Sequence, residues 1–519
     1  MAAPSFSMHT ILVQQTERTI GISSTQIKQL IVESDSRVLS LENEITTLES
    51  RLATLVKLRD RESATGAALR SLIAPIRTLP VELLAEIFEL TICDSDLSKF
   101  PYSSRLPLHV RDAFRVSQVC RHWRQIAIGT PRLWTGPITV DFHPTRRRGF
   151  EEEEMYADGV KTWLARSAPL PVQITIMGPI NRSWLTKSGS RLTDALLSIA
   201  SRWRSLWIYP APGGFVERLA SCSLDSLEAL TLSSVDHAGS HFGLPTMLSF
   251  INAPRLRKVT LDTTCGIPMP WVQLTDINLQ NDVPPERLKD IFSQCKSVVR
   301  ACVRTSGWSA FPPARADALV LHHLQFLSVT WAGEDFNDIL FLDCISAPPL
   351  DELHLCFDPE GAGVEWEEAT FTAFQIRSPN ITRLKIEGNG FAVPANALVA
   401  ALRHTPALTH LTIDDCPGTE ALPRALCHTG DVEPLVPRLH NLVFGELLVP
   451  IFSEDGLASM ISSRWWTDAE LESRSKPPGV ARWRQIQLCA PRFSQSFRDT
   501  IENLRQMGLA VELIEYDSR

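Results

Sequence analysis

Few residues in this chain are spaced for chemistry. Cys416, Cys427 and His428 are the types that supply a nucleophile and its base, but in a repeating array Cys416 more simply caps a buried strand. His322 and His323 are adjacent, so on a strand they point to opposite faces and cannot ligate one metal together. Asp414 with Asp415, and Glu367 with Glu368, are neighbours in sequence and read as solvated carboxylates. Lys187-Ser188-Gly189-Ser190 lacks the upstream glycine of a phosphate loop, and no GxGxxG, GxSxG or HExxH occurs. Function is therefore expected in binding, with no catalytic residue, cofactor or metal.

Composition narrows the partners. The 519 residues leave room for about three domains. Against 59 acidic residues stand 51 Lys and Arg, a net charge of −8, and phosphate neutralisation needs the opposite balance. Arg146, Arg147 and Arg148 do not change that expectation, because Glu151, Glu152, Glu153 and Glu154 neutralise them. Nucleic acid is not an expected partner. Neither is a membrane, since the longest uncharged stretches, such as 318–333, fall short of the roughly 20 apolar residues a spanning helix needs. The N-terminus lacks the basic start and apolar core of a signal peptide. Eleven cysteines without a CxxC read as reduced thiols, which places the chain in cytoplasm or nucleus.

The elements that must position a binding surface come in three kinds. From Ile27 the apolar residues keep a heptad register, with Ile31, Val38, Ile45 and Leu52 at a, and Ile27, Ser34, Leu41, Leu48 and Leu55 at d. β-Branched residues at a with Leu at d favour a parallel pair of helices. At the flanks, Arg37 and Glu42 would attract across such a pair and Glu44 and Glu49 would repel. The stripe either pairs two copies through residues 27–58 or folds back on its own chain. Pro75 ends the helix.

A short helical module follows. Pro80 suits a first helical turn, and Leu83, Leu84, Ile87 and Phe88 form the stripe behind it. A second helix is expected over 114–127, with Val116, Val119, Cys120, Trp123 and Ile126 on one face. Gly129, Thr130 and Pro131 stop it before Leu133 and Trp134. The blocks LPVELLAEIF, VSQVCRHWRQIA and TPRLW, in this order and behind the lead-in APIRTLP, resemble an F-box of the kind common in fungal (basidiomycete-type) F-box families.

The resemblance covers 76–134 and implies docking on Skp1, the adaptor of cullin–RING ubiquitin ligases. Leu79, Pro80, Leu83, Leu84, Ile87 and Phe88 match its first block by position, and Val116, Val119, Cys120 and Trp123 match its second. The chain departs from the pattern in the 30 residues between Phe88 and Val119, a longer spacing than a compact F-box has. The excess at 95–107 has loop composition and leaves the middle helix unassigned. A helical hairpin core is the plain alternative for these stripes.

Beyond 143–154, expected as a solvated linker, a triplet recurs: apolar, two residues, apolar, one residue, apolar. It runs through Trp203-Leu206-Ile208, Leu227-Leu230-Leu232, Leu256-Val259-Leu261, Leu274-Ile277-Leu279, Leu324-Leu327-Val329 and Leu350-Leu353-Leu355. Ile381-Leu384-Ile386, Leu408-Leu411-Ile413, Leu439-Leu442-Phe444 and Trp483-Ile486-Leu488 continue it, with a degenerate copy at Val298-Ala301-Val303. Most copies are about 20–31 residues apart, the leucine-rich-repeat period. Each unit would supply one strand and return by a helix or turn, as at 286–294 and 395–403, and stacked units would bury what one alone cannot. Asn389 and Cys416 fill the Asn/Cys position, but Val235, Thr264, Asp282 and Asp358 do not, so the array should be irregular. An ordinary α/β domain is the alternative.

The fold class expected is thus α+β with α/β character: an N-terminal helix and small helical module, then an irregular leucine-rich-repeat-like solenoid with a parallel sheet. The expected divisions are a flexible 1–26, a long helix over 27–74, the F-box-like module at 75–135, a linker over 136–169 and the solenoid at 170–519. The resemblance and the array together imply a non-catalytic substrate-recognition subunit joining a Skp1-like adaptor and cullin complex to an unknown protein. The alternative is a ligase-independent scaffold that dimerises through its helix. Contact residues would be Glu228, Lys258, Thr382, Lys385, Thr409, Thr412 and Asn441. Trp331, Trp366, Trp465 or Trp466, if exposed, would mark a hot spot.

Overall fold

The computed structural model describes residues 24–91, 108–142, 150–177, 187–209, 215, 218–233, 249–262, 267–305, 318–332, 337–358, 364–388, 395–416, 421–430, 433–445, 453–473 and 478–516. The expected N-terminal tail through 23, the loop at 95–107, Arg146, Arg147, Arg148, Val235, Thr264 and Asn389 lie outside them. The chain divides into two units, Met1–Glu86 and Ile87–Arg519.

The first unit is dominated by one helix, α1 (Ser24–Leu72), 49 residues long. Gly66 sits inside it with nothing near its absent side chain, and the stretch around it is helical. Pro75 then starts a single 3₁₀ turn, Pro75–Arg77. Helix α2 (Val81–Thr91) begins directly after Pro80 and crosses the boundary between the units.

The second unit opens with two short helices, α3 (Leu108–Gln118) and α4 (Arg121–Gly129). This corrects the single helix expected over 114–127. Cys120 is extended (φ −156, ψ 172) and its Sγ caps α4 by accepting from the Trp123 amide. Arg124 Nε holds the broken end of α3 by donating to Ser117 O at 3.0 Å. The middle helix left unassigned is α3. A 3₁₀ turn, Pro131–Trp134, ends the helical part.

Fourteen strands then form one sheet in strict chain order, every neighbouring pair parallel. They are β1 (Ile138–Asp141), β2 (Val172–Met177), β3 (Trp203–Ile208), β4 (Ala229–Leu232), β5 (Lys258–Leu261), β6 (Asp276–Val283) and β7 (Arg300–Thr305). The rest are β8 (Phe326–Trp331), β9 (Glu352–Phe357), β10 (Arg383–Glu387), β11 (His410–Asp414), β12 (Asn441–Phe444), β13 (Gln485–Ala490) and β14 (Ala510–Glu515). All eleven expected triplets fall on strands, and the register puts like on like: Leu206 pairs with Leu230, Leu230 with Val259, and so on to Leu442 with Ile486. The first triplet residue is buried throughout, just ahead of its strand in every copy but the first, where Trp203 opens β3.

A second ladder runs at the strand entrances, where each turn is tied to the one before. Glu228 N donates to Arg204 O, Thr275 N to Arg257 O, Thr382 N to Asp351 O and Arg484 N to His440 O, all at 2.7–2.9 Å. Return segments include α6 (Lys187–Leu197), α7 (Pro285–Gln294), α8 (Glu368–Arg377) and α9 (Ala395–Arg403), so both segments named from sequence are helical.

The linker expected over 136–169 is not one. It holds β1 and the 17-residue helix α5 (Phe150–Arg166), and the sheet starts at Ile138 rather than beyond 170. Three strands escaped the triplet search because the first position of β1, β2 and β14 is Thr135, Pro171 and Gly508. Register with their neighbours, not a third apolar residue, places them. His322 and His323 lie in a turn, both exposed, rather than on a strand. None of the described tryptophans is exposed: Trp331 and Trp466 are buried, Trp366 and Trp465 half-buried.

Candidate partner-docking site

The α2 helix divides its apolar residues between inside and outside. Pro80 sets the first turn, and Leu84 N donates to Pro80 O at 3.1 Å. Leu84 and Phe88, one helical turn apart, are fully buried. Leu83 is 47% exposed, Ile87 37% and Leu90 79%. Leu79 is half-buried and Pro80 exposed. The sequence stripe therefore mixes two faces.

In the second unit the ring of Phe88 lies 4.8 Å from that of Trp123, which is half-buried. Of the second expected group, Val116 and Cys120 are half-buried and Val119 is 60% exposed, because the break between α3 and α4 turns it outward. The buried side of α4 is Ile126 and Ala127, with Leu133 and Trp134 behind them. Trp134 is the centre of this packing. Its Nε1–H donates to Ala127 O at 2.7 Å, and its ring meets Trp163 edge-on at 4.8 Å and Phe114 at 5.8 Å. The Arg166 guanidinium covers it at 4.6 Å. Trp163 and Arg166 come from α5, a segment read from sequence as linker, which is why they were missed.

The open side of the sheet places only part of the expected contact set. Lys258, Lys385, Thr412 and Asn441 stand on strands, with Lys385 and Thr412 directly in register. Glu228, Thr382 and Thr409 instead precede their strands. Glu228 pairs with Arg204 at 3.0 Å, and Thr409 Oγ1 donates to Thr382 O. Near the middle of the sheet, Arg300 lies over the Phe326 ring at 4.0 Å and His354 meets the same ring edge-on. Arg304 binds Asp282 and Asp358, each at 2.6 Å, so two of the residues at the position where sequence spacing looked for Asn or Cys carry an ion pair instead.

No group of three or more metal-ligating side chains occurs among the described residues. Cys416 is buried, with its Sγ against Asp414 O at 3.2 Å, and burial together with Asp415 pushes its thiol up to about 12. A protonated, enclosed thiol is a poor nucleophile. In the folded chain Cys416 is expected to resist iodoacetamide at pH 8 and to label once urea opens the array, read by peptide mass spectrometry. Fast labelling of the native protein would contradict the burial argument. No helix among the described residues is long and apolar enough to cross a membrane.

A family model described as F-box-like matches residues 76–138. The match begins after Pro75 and ends on the first residue of β1. No curated protein matches the chain.

Proposed function

We propose that the chain is a non-catalytic substrate-recognition subunit of a Skp1–cullin–F-box ubiquitin ligase. F-box-like domains suggest a ubiquitin-ligase adaptor role in general, and the observation that carries the finer reading is the exposure of Leu83 and Ile87 on α2 while Leu84 and Phe88 are buried. The buried pair anchors the helix and the exposed pair is apolar surface that a partner would cover. In this reading Leu79, Pro80, Leu83, Leu84, Ile87, Phe88, Val116, Val119, Cys120 and Trp123 are the Skp1-binding set, of which Leu83, Ile87 and Val119 are exposed apolar residues.

The parallel sheet is then read as a leucine-rich-repeat-like solenoid whose open side holds the target protein. Strand positions such as Lys258, Lys385, Thr412 and Asn441 offer one side-chain row per repeat. Holding a target beside a ubiquitin-loaded enzyme accelerates transfer by proximity and orientation, which demands no catalytic group from this chain.

The test is co-purification of the full chain with Skp1, followed by titration. Leu83→Asp/Ile87→Asp is expected to lower affinity at least a hundredfold, and because both side chains are exposed the thermal midpoint should stay within about two degrees. An unchanged affinity in this variant, or no binding by the folded wild-type chain, would sink the proposal. Phe88→Asp is a poor control, since it places a charge in a fully buried position.

A further inference from the structure

Among the described residues, none covers the heptad stripe of α1. Its eight apolar a and d residues, Ile27, Ile31, Val38, Leu41, Ile45, Leu48, Leu52 and Leu55, are each between 43% and 62% exposed. Leu30 and Leu58 widen the stripe at two g positions and are also exposed. Most helical stability in proteins comes from packing an apolar face, and a seam this long with nothing on it is an interaction surface.

We infer that this surface binds a second copy of the same chain as a parallel, in-register, two-stranded coiled coil over residues 27–58. Three features choose the occupant and its direction. Ile31, Val38 and Ile45 at a, with Leu41, Leu48 and Leu55 at d, have the shape preference of parallel dimers.

Ser34 is the one polar residue in the seam. Among arrangements that cover most of the seam, only the parallel, in-register one sets it against its own copy, where two hydroxyls satisfy each other. An antiparallel pairing that centres the seam opposes it to Leu52, and one staggered by a heptad opposes it to Ile45.

The third feature is charge. In the parallel pair Arg37 at g faces Glu42 at e of the other copy, while Arg37 also reaches Glu33 of its own helix at 2.5 Å. Glu44 facing Glu49 is the unfavourable contact of this register. The centred antiparallel pair is worse, since it sets Glu42 and Glu44 each against its own copy, Asp35 against Glu49 and Arg37 against Arg51. The staggered antiparallel pair is the serious competitor. It sets Arg37 against Glu44 and Lys28 against Glu49, at the expense of Asp35 against Glu42, but buries Ser34 against an apolar residue twice.

A parallel pair brings both Pro75 positions, and the F-box-like segments that follow, to one end of the coil.

The parallel pair and its serious competitor, the staggered antiparallel pair, give opposite signs for one substitution. Glu49→Lys turns Glu44–Glu49 repulsion into attraction in the parallel pair, but in the staggered antiparallel pair it sets the introduced ammonium against Lys28. Sedimentation equilibrium of the full chain is expected to show a dimer, tightened about tenfold by Glu49→Lys as two symmetric contacts change sign. Leu41→Asp/Leu48→Asp is expected to be monomeric with an unchanged sheet by circular dichroism, because both residues are exposed. Leu48→Cys should form an intermolecular disulfide on mild oxidation that the wild-type chain, with its native cysteines, does not. A wild-type monomer up to about 100 μM overturns the inference. A dimer that Glu49→Lys weakens, or that Leu48→Cys fails to cross-link, overturns the parallel direction.

Discussion

Trp134→Ala is expected to destabilise the packing of α3, α4 and α5 by about 3–5 kcal/mol, the usual range for removing a buried tryptophan. The side chain is fully buried and touches three elements through Phe114, Trp163 and Ala127. Alanine would leave a cavity among rigid aromatic rings that cannot collapse into it, and Ala127 O would lose its indole donor. Trp134→Phe separates the two contributions: most of the volume stays and the hydrogen bond goes, so a loss of about 1–1.5 kcal/mol is expected.

Hydrogen exchange on the α4 amides reads this local stability even where the whole chain does not unfold in one step. Protection unchanged in Trp134→Ala would show that the aromatic cluster does not hold the segment. The same geometry bears on how the F-box-like segment is handled. Its family match ends at residue 138, yet Trp163 and Arg166, which enclose Trp134, lie beyond that end. A fragment cut at 138 is therefore expected to be less protected in α4 than the full chain.

Arg464→Met is the second large effect, a loss of about 3–5 kcal/mol localised near the end of the array. Arg464 is 1% exposed and its guanidinium has no carboxylate partner among the described residues. It donates instead to three backbone carbonyls, Leu426 O at 2.9 Å, Val436 O at 3.2 Å and Leu435 O at 2.7 Å, and lies 5.4 Å from the Trp483 ring. These carbonyls close the turn between helix α10 (Leu422–Leu426) and β12. Val436 there holds φ 43, the left-handed region a β-branched residue rarely adopts.

Methionine matches the stem but takes the guanidinium donor from Leu426 O and Leu435 O, while Val436 O still accepts from Leu439 N. Each orphaned acceptor costs about 1–3 kcal/mol, offset in part because no cation is then buried. Burial lowers the Arg464 guanidinium to about 10 from its ordinary 12.5. The unfolded chain therefore holds this proton more tightly, and the group adds stability only as pH rises through about 10. Across pH 6–8 the penalty of Arg464→Met should be flat. Exchange protection of β12 and α10 is the readout, and a loss below about 1 kcal/mol would contradict the carbonyl clamp.

How far these features could be read from sequence varies with the kind of signal. Eleven triplets were readable because the positions at the strand entrance and on the inner face must all be apolar when each strand is packed by the next. β1, β2 and β14 were not, since Thr135, Pro171 and Gly508 break the triplet where local geometry tolerates it. The break between α3 and α4 was invisible because Val116, Val119, Cys120 and Trp123 keep helical spacing across it. Cys120 caps the new helix with a sulfur that sequence rules do not score as a capping group. Arg464 was unreadable for a different reason. Arginine is normally a surface residue, and only the convergence of three carbonyls from distant turns makes its burial tolerable.

The candidate docking residues show the same division most plainly. Leu83, Leu84, Ile87 and Phe88 are all apolar and all fit one helix, and the F-box-like order of blocks could be recognised without coordinates. Helical periodicity alone orders these four around an axis, but it does not choose which pair faces inward. That choice belongs to the surroundings of α2, which leave Leu84 and Phe88 without solvent and Leu83 and Ile87 in it. Periodicity, the heptad seam and the repeat spacing are local properties that a chain carries along its length. Burial is a property of everything else that packs nearby, and it enters only when residues far apart in sequence, such as Trp134 and Trp163, come into contact.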